Sequence, residues 1–126
     1  MAYTYDDQNV FAKILRGEIP NDTVLETAHS LAFRDINAQA PTHVLVIPKG
    51  RYVNFDHFAA EATEAEIVDF IRAVGEVCRI EGVAADRGEG YRLIANAGRH
   101  GVQEVPHLHV HVIGGRVLGR MLPAAG

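Results

Sequence analysis

The chain has 126 residues, of which 48% are hydrophobic and 22% are charged, a balance typical of a folded globular protein and not of a disordered chain. Its single cysteine excludes an intrachain disulfide, and its net charge of −4 disfavours a surface that binds a long nucleic acid. No apolar run is long enough to span a bilayer and the first residues are polar and acidic. We therefore expect one cytoplasmic domain over residues 1–126, with no nucleic acid or membrane as partner.

The first half of the sequence predicts a short helix and then three strands. Residues 8–15 carry apolar side chains at spacings of one, three and four, which is typical of a helix. Gly17 and Pro20 are expected to end this helix. Short alternating runs, each bounded by turn formers or proline, then predict antiparallel strands at residues 23–27, 30–35 and 43–47.

A long helix is predicted to begin at Thr63. The hydroxyl of Thr63 and the carboxylate of Glu66 have the spacing of a capping box, in which each side chain satisfies a backbone donor of the other residue. A single apolar stripe follows, and Gly82 suits the end of the helix. Gly75 lies inside it, where we expect another backbone to pack closely.

Two more strands are predicted after this helix, over residues 90–96 and 106–113. A glycine-containing loop over residues 97–105 separates them, and the tail over residues 117–126 is expected to be irregular. A sheet with a segregated long helix defines an α+β domain.

Three of the seven histidines fall within five positions, as His107, His109 and His111. Side chains on a strand alternate between its two faces, so the three imidazoles are predicted to share one face while the intervening aliphatic residues enter the core. Neighbouring side chains on one face stand about 6.6 Å apart, a span that suits one tetrahedral anion or one metal ion.

Three interpretations of this cluster are open from the residues alone. The first is a polar strand face that happens to consist of histidine. The second is a metal site, in which His43 adds a further nitrogen ligand. The third is phosphorus chemistry, because a neutral imidazole is a nucleophile near pH 7 and a good leaving group once it carries a phosphoryl group.

The HLHVHVI run at residues 107–113 resembles the signature of the histidine triad (HIT) nucleotide hydrolases and transferases. The resemblance covers about residues 10–116 and is strongest with the Hint branch, the histidine triad nucleotide-binding proteins. The segments that carry it are residues 33–43, 46–49, 90–92, 96 and 114–116.

This resemblance implies a homodimer in which each protomer contributes a five-stranded antiparallel sheet with one long and one short helix. It also implies hydrolysis of purine nucleoside phosphoramidates, such as adenosine 5′-monophosphoramidate or aminoacyl adenylates, with AMP or GMP as the bound nucleotide. His111 is similar to the hydrolase branches, because the transferases that act on sugar nucleotides carry glutamine there.

The resemblance assigns catalytic roles to five residues. His109 is the expected nucleophile, His111 and His43 bind and orient the phosphate, and His107 fixes the tautomer of His109 through its backbone carbonyl. Glu104 stands where many Hint proteins have a serine that helps to protonate the departing amine. A protonated carboxyl could take over that role, whereas an ionised one would attract a cationic leaving group.

The resemblance also implies a nucleotide-binding site in which Asp35 accepts hydrogen bonds from both ribose hydroxyls. Val10 and Ile14 are either part of the purine slot or part of the core. The purine slot itself is expected to consist of Phe11, Phe33 and Ile36. The remaining binding positions, on the phosphate side, are Asn96, Val102 and Gln103.

No metal and no cofactor are predicted. Residues 9–12 occupy the place where some relatives have paired cysteines that help to bind zinc, and neither cysteine is present here. Two other functions stay open beside phosphoramidate hydrolysis. One is a nucleotide-binding adaptor with vestigial catalysis, and the other is a dinucleoside polyphosphate hydrolase.

Overall fold

The computed structural model describes residues 3–124. The helices are α1 (Val10–Leu15), α2 (Phe55–Glu61) and α3 (Glu64–Ile80). The strands are β1 (Thr23–Glu26), β2 (Ser30–Arg34), β3 (Thr42–Pro48), β4 (Tyr91–Ile94) and β5 (Val110–Gly114).

All five strands form one antiparallel sheet in the order β1-β2-β3-β5-β4. The predicted α+β class and the five-stranded sheet are confirmed. Because β5 pairs with both β3 and β4, the histidine-rich end of the chain lies inside the sheet and not at its edge.

The prediction of only two helices is wrong, since α2 is a third. Asn54 begins α2 by accepting a hydrogen bond from the backbone N–H of His57 at 2.9 Å, and Phe58 is buried against the core. The seven residues of α2 span only two turns, which is too short for a helical period to stand out in the sequence.

The two faces of the sheet pack against different helices. One face contributes valines of β3 and β5 to the main core, where α3 covers them with Phe70, Val74 and Val77. The other face contributes a smaller cluster that packs against α1 through Phe11. The α1 face is the one on which the odd-numbered residues of β3 lie, so it also carries His43.

Strand β5 begins later than predicted, and this changes the position of two histidines. The ladder between β3 and β5 starts at Val110, so His107 and His109 precede the strand. Pro106 has no N–H to donate, and the N–H of Leu108 donates to the carbonyl of Tyr52 and not to β3. The aliphatic residues between the histidines are nevertheless buried in the main core, as the alternation predicted.

Helix α3 has the predicted capping box, with both reciprocal hydrogen bonds between Thr63 and Glu66. It ends before Gly82, which has the positive φ of +73° that favours glycine. The expectation that another backbone packs on Gly75 is wrong within the described chain, because a Cβ at that position would meet no atom within 4 Å.

Residues 117–124 form no helix or strand, as predicted for the tail, and residues 125–126 lie outside the described part. Within residues 3–124 no helix has both the length and the apolar character needed to cross a membrane.

The capping box generates a stability prediction. Replacing Thr63 with alanine removes the side-chain acceptor for the N–H of Glu66, so we expect the free energy of unfolding to fall by about 1 kcal/mol. Thr63→Ser retains the hydroxyl and should stay close to the original stability. Urea unfolding of both variants checks this, and equal stabilities for alanine and serine would contradict it.

Candidate active site

The site lies on the α1 face of the sheet, where β3, β5 and the residues just before β5 bring three histidines together. His43 on β3 and His111 on β5 are near neighbours in the ladder, because His111 pairs with Leu45 and His43 pairs with Ile113. His109 comes just before β5 and has its ring centroid 5.1 Å from that of His111. Of the three imidazoles predicted to share one face, those of His109 and His111 lie together here, and His43 is beside them.

A cavity of about 420 Å³ opens on this face. Helix α1, the end of β2 and the loop over residues 97–105 form its walls. Nine of the residues expected in the site line it: Phe11, Phe33, Asp35, Ile36, Asn96, Val102, Glu104, His109 and His111. Val10 and Ile14, which the sequence left between purine slot and core, also line it.

The hydrogen bonds of His109 fix its tautomer. Its Nδ1 lies 2.7 Å from the backbone carbonyl oxygen of His107, which can only accept, so Nδ1 carries the proton. The other nitrogen, Nε2, therefore has a free lone pair. Phe11 holds the ring edge-on with centroids 5.0 Å apart, and only 7% of the residue is exposed. His109 thus has a nitrogen lone pair in a fixed orientation.

His43 and His111 form a hydrogen-bonded pair in which each ring carries its proton on Nε2, the opposite of His109. The backbone N–H of Gln39 donates to Nδ1 of His43 at 3.0 Å, so the proton of His43 is on Nε2. That Nε2 lies 2.9 Å from Nδ1 of His111 and donates to it. His111 must then carry its own proton on Nε2. The cavity is therefore lined by one imidazole with a free lone pair and another with an N–H donor.

Burial keeps the rings of His109 and His111 neutral. It lowers the pKa of His111 to about 4, and the neighbouring rings of His109 and His43 act in the same direction. The pKa of His109 is also lowered by burial, although the carboxylates of Asp35 and Glu104 oppose the effect. Both rings are uncharged near pH 7, which is the state that a nucleophile and a neutral donor require.

His107 does not line the cavity, in contrast to the prediction that its imidazole shares one face with those of His109 and His111. Its ring is fully buried, with Nε2 2.8 Å from the carbonyl oxygen of Pro48 and Nδ1 2.5 Å from the hydroxyl of Tyr5. Its contact with His109 is through the backbone carbonyl, as the resemblance implied. His43 is also absent from the wall and acts through His111 and Asp35.

Asp35 lies at the polar end of the cavity wall. One of its carboxylate oxygens accepts the backbone N–H of Asn37 at 2.8 Å, and the other lies 3.3 Å from Nε2 of His43. The first contact is an Asx turn, which orients the carboxylate before any ligand binds. Residues 35–37 form no functional motif of their own in the sequence, and only the family resemblance indicated that Asp35 belongs to the site.

Gln103, which the resemblance places on the phosphate side, does not line the cavity. Its amide nitrogen donates to the carbonyl oxygens of Val53 at 2.6 Å and Val105 at 3.0 Å, and its backbone N–H donates to Gly98. Gln103 therefore anchors the loop that carries the neighbouring wall residues Val102 and Glu104.

The sequence did not predict the conformation of Val102. Its φ is +55°, and it is the one non-glycine residue with a positive φ in the described chain. A β-branched residue rarely adopts this conformation, which costs of order 1 kcal/mol or more and occurs preferentially at functional sites. The side chain is exposed on the cavity wall.

One group of residues in the described chain has the spacing of a metal site, namely Asp35, His43 and His111. Their facing nitrogen atoms are engaged with each other, because Nε2 of His43 donates to Nδ1 of His111. Residues 9–12, where some relatives have paired cysteines, have a structural role here. Asn9 begins α1 by accepting a hydrogen bond from the N–H of Ala12 at 2.9 Å. That the protein binds no metal stays a prediction.

Known proteins share this sequence pattern and fold. The HIT domain family matches residues 16–118, a span that contains all five strands and the histidine cluster, and the chain belongs to that family. A HIT-like protein of Azospirillum brasilense, itself uncharacterised, is 63% identical over 122 residues, which cover 97% of this chain and 98% of that protein.

Two further relatives carry functional names. The purine nucleoside phosphoramidase of Escherichia coli strain K12 is 44% identical over 120 residues, which cover 95% of this chain and 98% of that enzyme. The structure of a HIT family hydrolase from Clostridium thermocellum has a TM-score of 0.79 and 36% identity, and the match covers 93% of this chain and 99% of that one. The resemblance to the histidine triad family is confirmed.

The buried neutral histidines generate a prediction about acid stability. The pKa of His107 is about 4 in the fold against 6.5 for an unperturbed imidazole, so the unfolded chain takes up this proton first as the pH falls. The free energy of unfolding is therefore highest above pH 6.5 and decreases between pH 6.5 and about 4, with about 3 kcal/mol from His107 alone.

Urea unfolding across that pH range measures the effect. His107→Gln removes one of the titrating groups and should reduce the pH dependence, while His100→Gln, which changes an exposed loop residue, should leave it unchanged. Equal pH slopes for the original chain and His107→Gln would contradict the assignment.

Proposed function

We propose that this protein hydrolyses the phosphorus–nitrogen bond of purine nucleoside phosphoramidates through a covalent nucleotidyl intermediate on His109. The observation that carries the proposal is the pair of opposite tautomers on the cavity wall, a free Nε2 lone pair on His109 and an Nε2–H donor on His111. The name of the 44% identical Escherichia coli relative, purine nucleoside phosphoramidase, supports the substrate class.

In the first step, Nε2 of His109 attacks the phosphorus atom. An Nε2–P bond forms while the P–N bond breaks, and the amine leaves with the bonding electron pair and takes up one proton. Nδ1–H stays hydrogen-bonded to the carbonyl of His107, which stabilises the positive charge that develops on the ring. The Nε2–H of His111 donates to a non-bridging oxygen as its negative charge increases.

In the second step, a water molecule attacks the phosphorus atom and loses one proton. The Nε2–P bond breaks, the nucleoside monophosphate is released, and Nε2 of His109 regains its lone pair. The proton that the amine gained in the first step is balanced by the proton that water loses here. Since the phosphorylated imidazolium expels a neutral imidazole readily, one slow displacement is divided into two faster ones.

The cavity accounts for recognition of a nucleoside. Its apolar walls at Phe11, Phe33 and Ile36 offer a flat slot for a purine, and Ile36 is 95% exposed, so its burial by a base would be favourable. The carboxylate of Asp35 is the acceptor for two ribose hydroxyls. Asn96 supplies an amide on the phosphate side.

Glu104 gives the leaving-group side of the cavity a carboxylate. It is exposed on the wall and close enough to His109 to act on its charge. We assign Glu104 to the departing amine, either as a proton donor or as a counter-charge for a cationic amine.

His109→Ala tests the proposed nucleophile. Without the imidazole no covalent intermediate can form, so we expect kcat for a fluorogenic adenosine phosphoramidate to fall by at least about a thousandfold, an effect typical of lost nucleophiles. AMP should still bind with a similar affinity. His29→Ala is the control, because His29 lies at the turn before β2, outside the cavity.

Rapid mixing with labelled substrate completes this test. The original chain should show a burst of nucleotide covalently attached to His109. Near-normal turnover by His109→Ala would refute the nucleophile. Nucleotide binding with neither burst nor turnover would favour an adaptor, and a preference for a diadenosine polyphosphate would favour hydrolysis of dinucleoside polyphosphates.

We also propose that the protein is a homodimer that joins through β4 and α3. Strand β4 is at the edge of the sheet, and its side chains Tyr91 and Leu93 are exposed. Together with Ile71 and Gly75 of α3 they line an apolar groove. An exposed apolar edge strand is a surface that a symmetric partner can cover, which extends the sheet across two chains.

Leu93→Lys tests this interface. A buried charge at the interface is expected to convert a species of twice 13.8 kDa into one of 13.8 kDa in sedimentation experiments. Ile80→Lys is the matched control, because Ile80 is exposed on α3 but does not line the groove. A monomeric original chain would contradict the proposal.

A further inference from the structure

Tyr5 makes a half-buried contact that the chemistry described above does not use. Its hydroxyl oxygen lies 2.5 Å from Nδ1 of His107, and the two rings meet edge to face with centroids 5.5 Å apart. Tyr5 is far from His107 in sequence and does not line the cavity. The contact therefore links the beginning of the chain to the histidine cluster from outside the site.

The direction of this hydrogen bond is determined by the other nitrogen of His107. Nε2 lies 2.8 Å from the carbonyl oxygen of Pro48, so Nε2 carries the proton and Nδ1 has the lone pair. Tyr5 must then be the donor. Burial raises the pKa of its phenol, which keeps that proton in place near neutral pH.

Both ring nitrogens of His107 thus have partners of opposite character. In any other ring orientation, the Pro48 carbonyl would face a nitrogen lone pair or a C–H and would lose its hydrogen bond. Water could not replace that bond, because His107 has no exposed surface. The ring is therefore locked in one orientation. The same residue supplies the carbonyl that holds Nδ1–H of His109 at 2.7 Å.

We propose that Tyr5 is a positioning residue for His109: its phenol locks the ring of His107, and the His107 carbonyl in turn holds the tautomer and pose of the nucleophile. The effect of Tyr5 on turnover rests on the proposed function, whereas its effect on the tautomers of His107 and His109 is independent of that function.

The segment around Tyr5 is built to hold the phenol in place. The guanidinium of Arg51 lies 5.2 Å from the centroid of the Tyr5 ring and pairs with Asp7 at 2.9 Å. The backbone carbonyl of Asp6 accepts the side-chain amide of Asn9 at 2.7 Å, which ties the segment to the start of α1.

Tyr5→Phe and Tyr3→Phe form a matched pair of variants. Each removes one hydroxyl from the same segment, but Tyr3 stacks on His57 and bonds Asp56, away from His107. For Tyr5→Phe we expect kcat for the phosphoramidate to fall by about tenfold, part of the roughly hundredfold loss that a 1 Å misplacement can cause. The affinity for AMP should not change, and Tyr3→Phe should retain the original kcat.

The burst amplitude separates positioning from damage to the fold. If Tyr5 positions His109, the burst in Tyr5→Phe becomes slower while its amplitude per chain stays the same. A loss of amplitude at an unchanged rate would mean that a fraction of the molecules is misfolded, and it would overturn the proposal. If Tyr5→Phe does not fold, Arg51→Gln keeps the phenol but removes its support, and a slower burst of full amplitude is again expected.

Nitrogen NMR of the imidazoles tests the proposal without any turnover. In the original chain Nδ1 of His107 should have the signal of a lone pair that accepts a hydrogen bond, and Tyr5→Phe should shift this signal and broaden that of Nδ1–H in His109. Unchanged signals for both residues would overturn the proposal. A chain that shows these shifts but hydrolyses no phosphoramidate would leave Tyr5 in its role and refute the proposed function instead.

Discussion

The hydrogen bond from Nδ1 of His109 to the carbonyl of His107 is the constraint on which the site depends. It decides which nitrogen carries the proton and therefore which one faces the cavity with a lone pair. On the neighbouring strand, the N–H of Gln39 bonds Nδ1 of His43 and so leaves the proton of His43 on Nε2. This Nε2–H donates to Nδ1 of His111, which fixes the proton of His111 on its own Nε2. Two backbone groups thus determine the protonation pattern of His43, His109 and His111.

This arrangement explains how an acidic chain can have a site for an anionic group. Burial and the neighbouring rings lower the pKa of His111 to about 4 and keep its ring neutral, so its N–H donor needs no positive charge. The basic residues near the ends of the sheet are engaged elsewhere, since Lys49 pairs with Glu26 and Arg34 with Glu81. The phosphate of a nucleotide would therefore meet preoriented dipoles instead of a cluster of cations.

Much of the fold could be predicted from the sequence because local patterns determine it. The capping box at Thr63 marks the start of α3, and the alternation over residues 107–113 places its aliphatic residues in the core. The features that were wrong depend on contacts distant in sequence. Helix α2 is too short for a clear period, and β5 begins at Val110 because Leu108 bonds to Tyr52 and not to β3.

The candidate site, like the fold, could be predicted from the sequence only where local residue patterns determine it. The residue types at the histidine cluster predict its chemistry, whereas the burial of His107 and the anchoring role of Gln103 follow from partners elsewhere in the chain, Pro48 and Val53. Tyr5 is a further case, because it stands in a short polar segment that has no pattern of its own.

A crystal structure of the protein with AMP measures the central claim most directly. The account predicts the phosphorus atom in front of Nε2 of His109, with a phosphate oxygen that accepts the N–H of His111 and both ribose hydroxyls on Asp35. A nucleotide bound elsewhere, or a metal ion held between Asp35, His43 and His111 with their mutual hydrogen bonds broken, would contradict it.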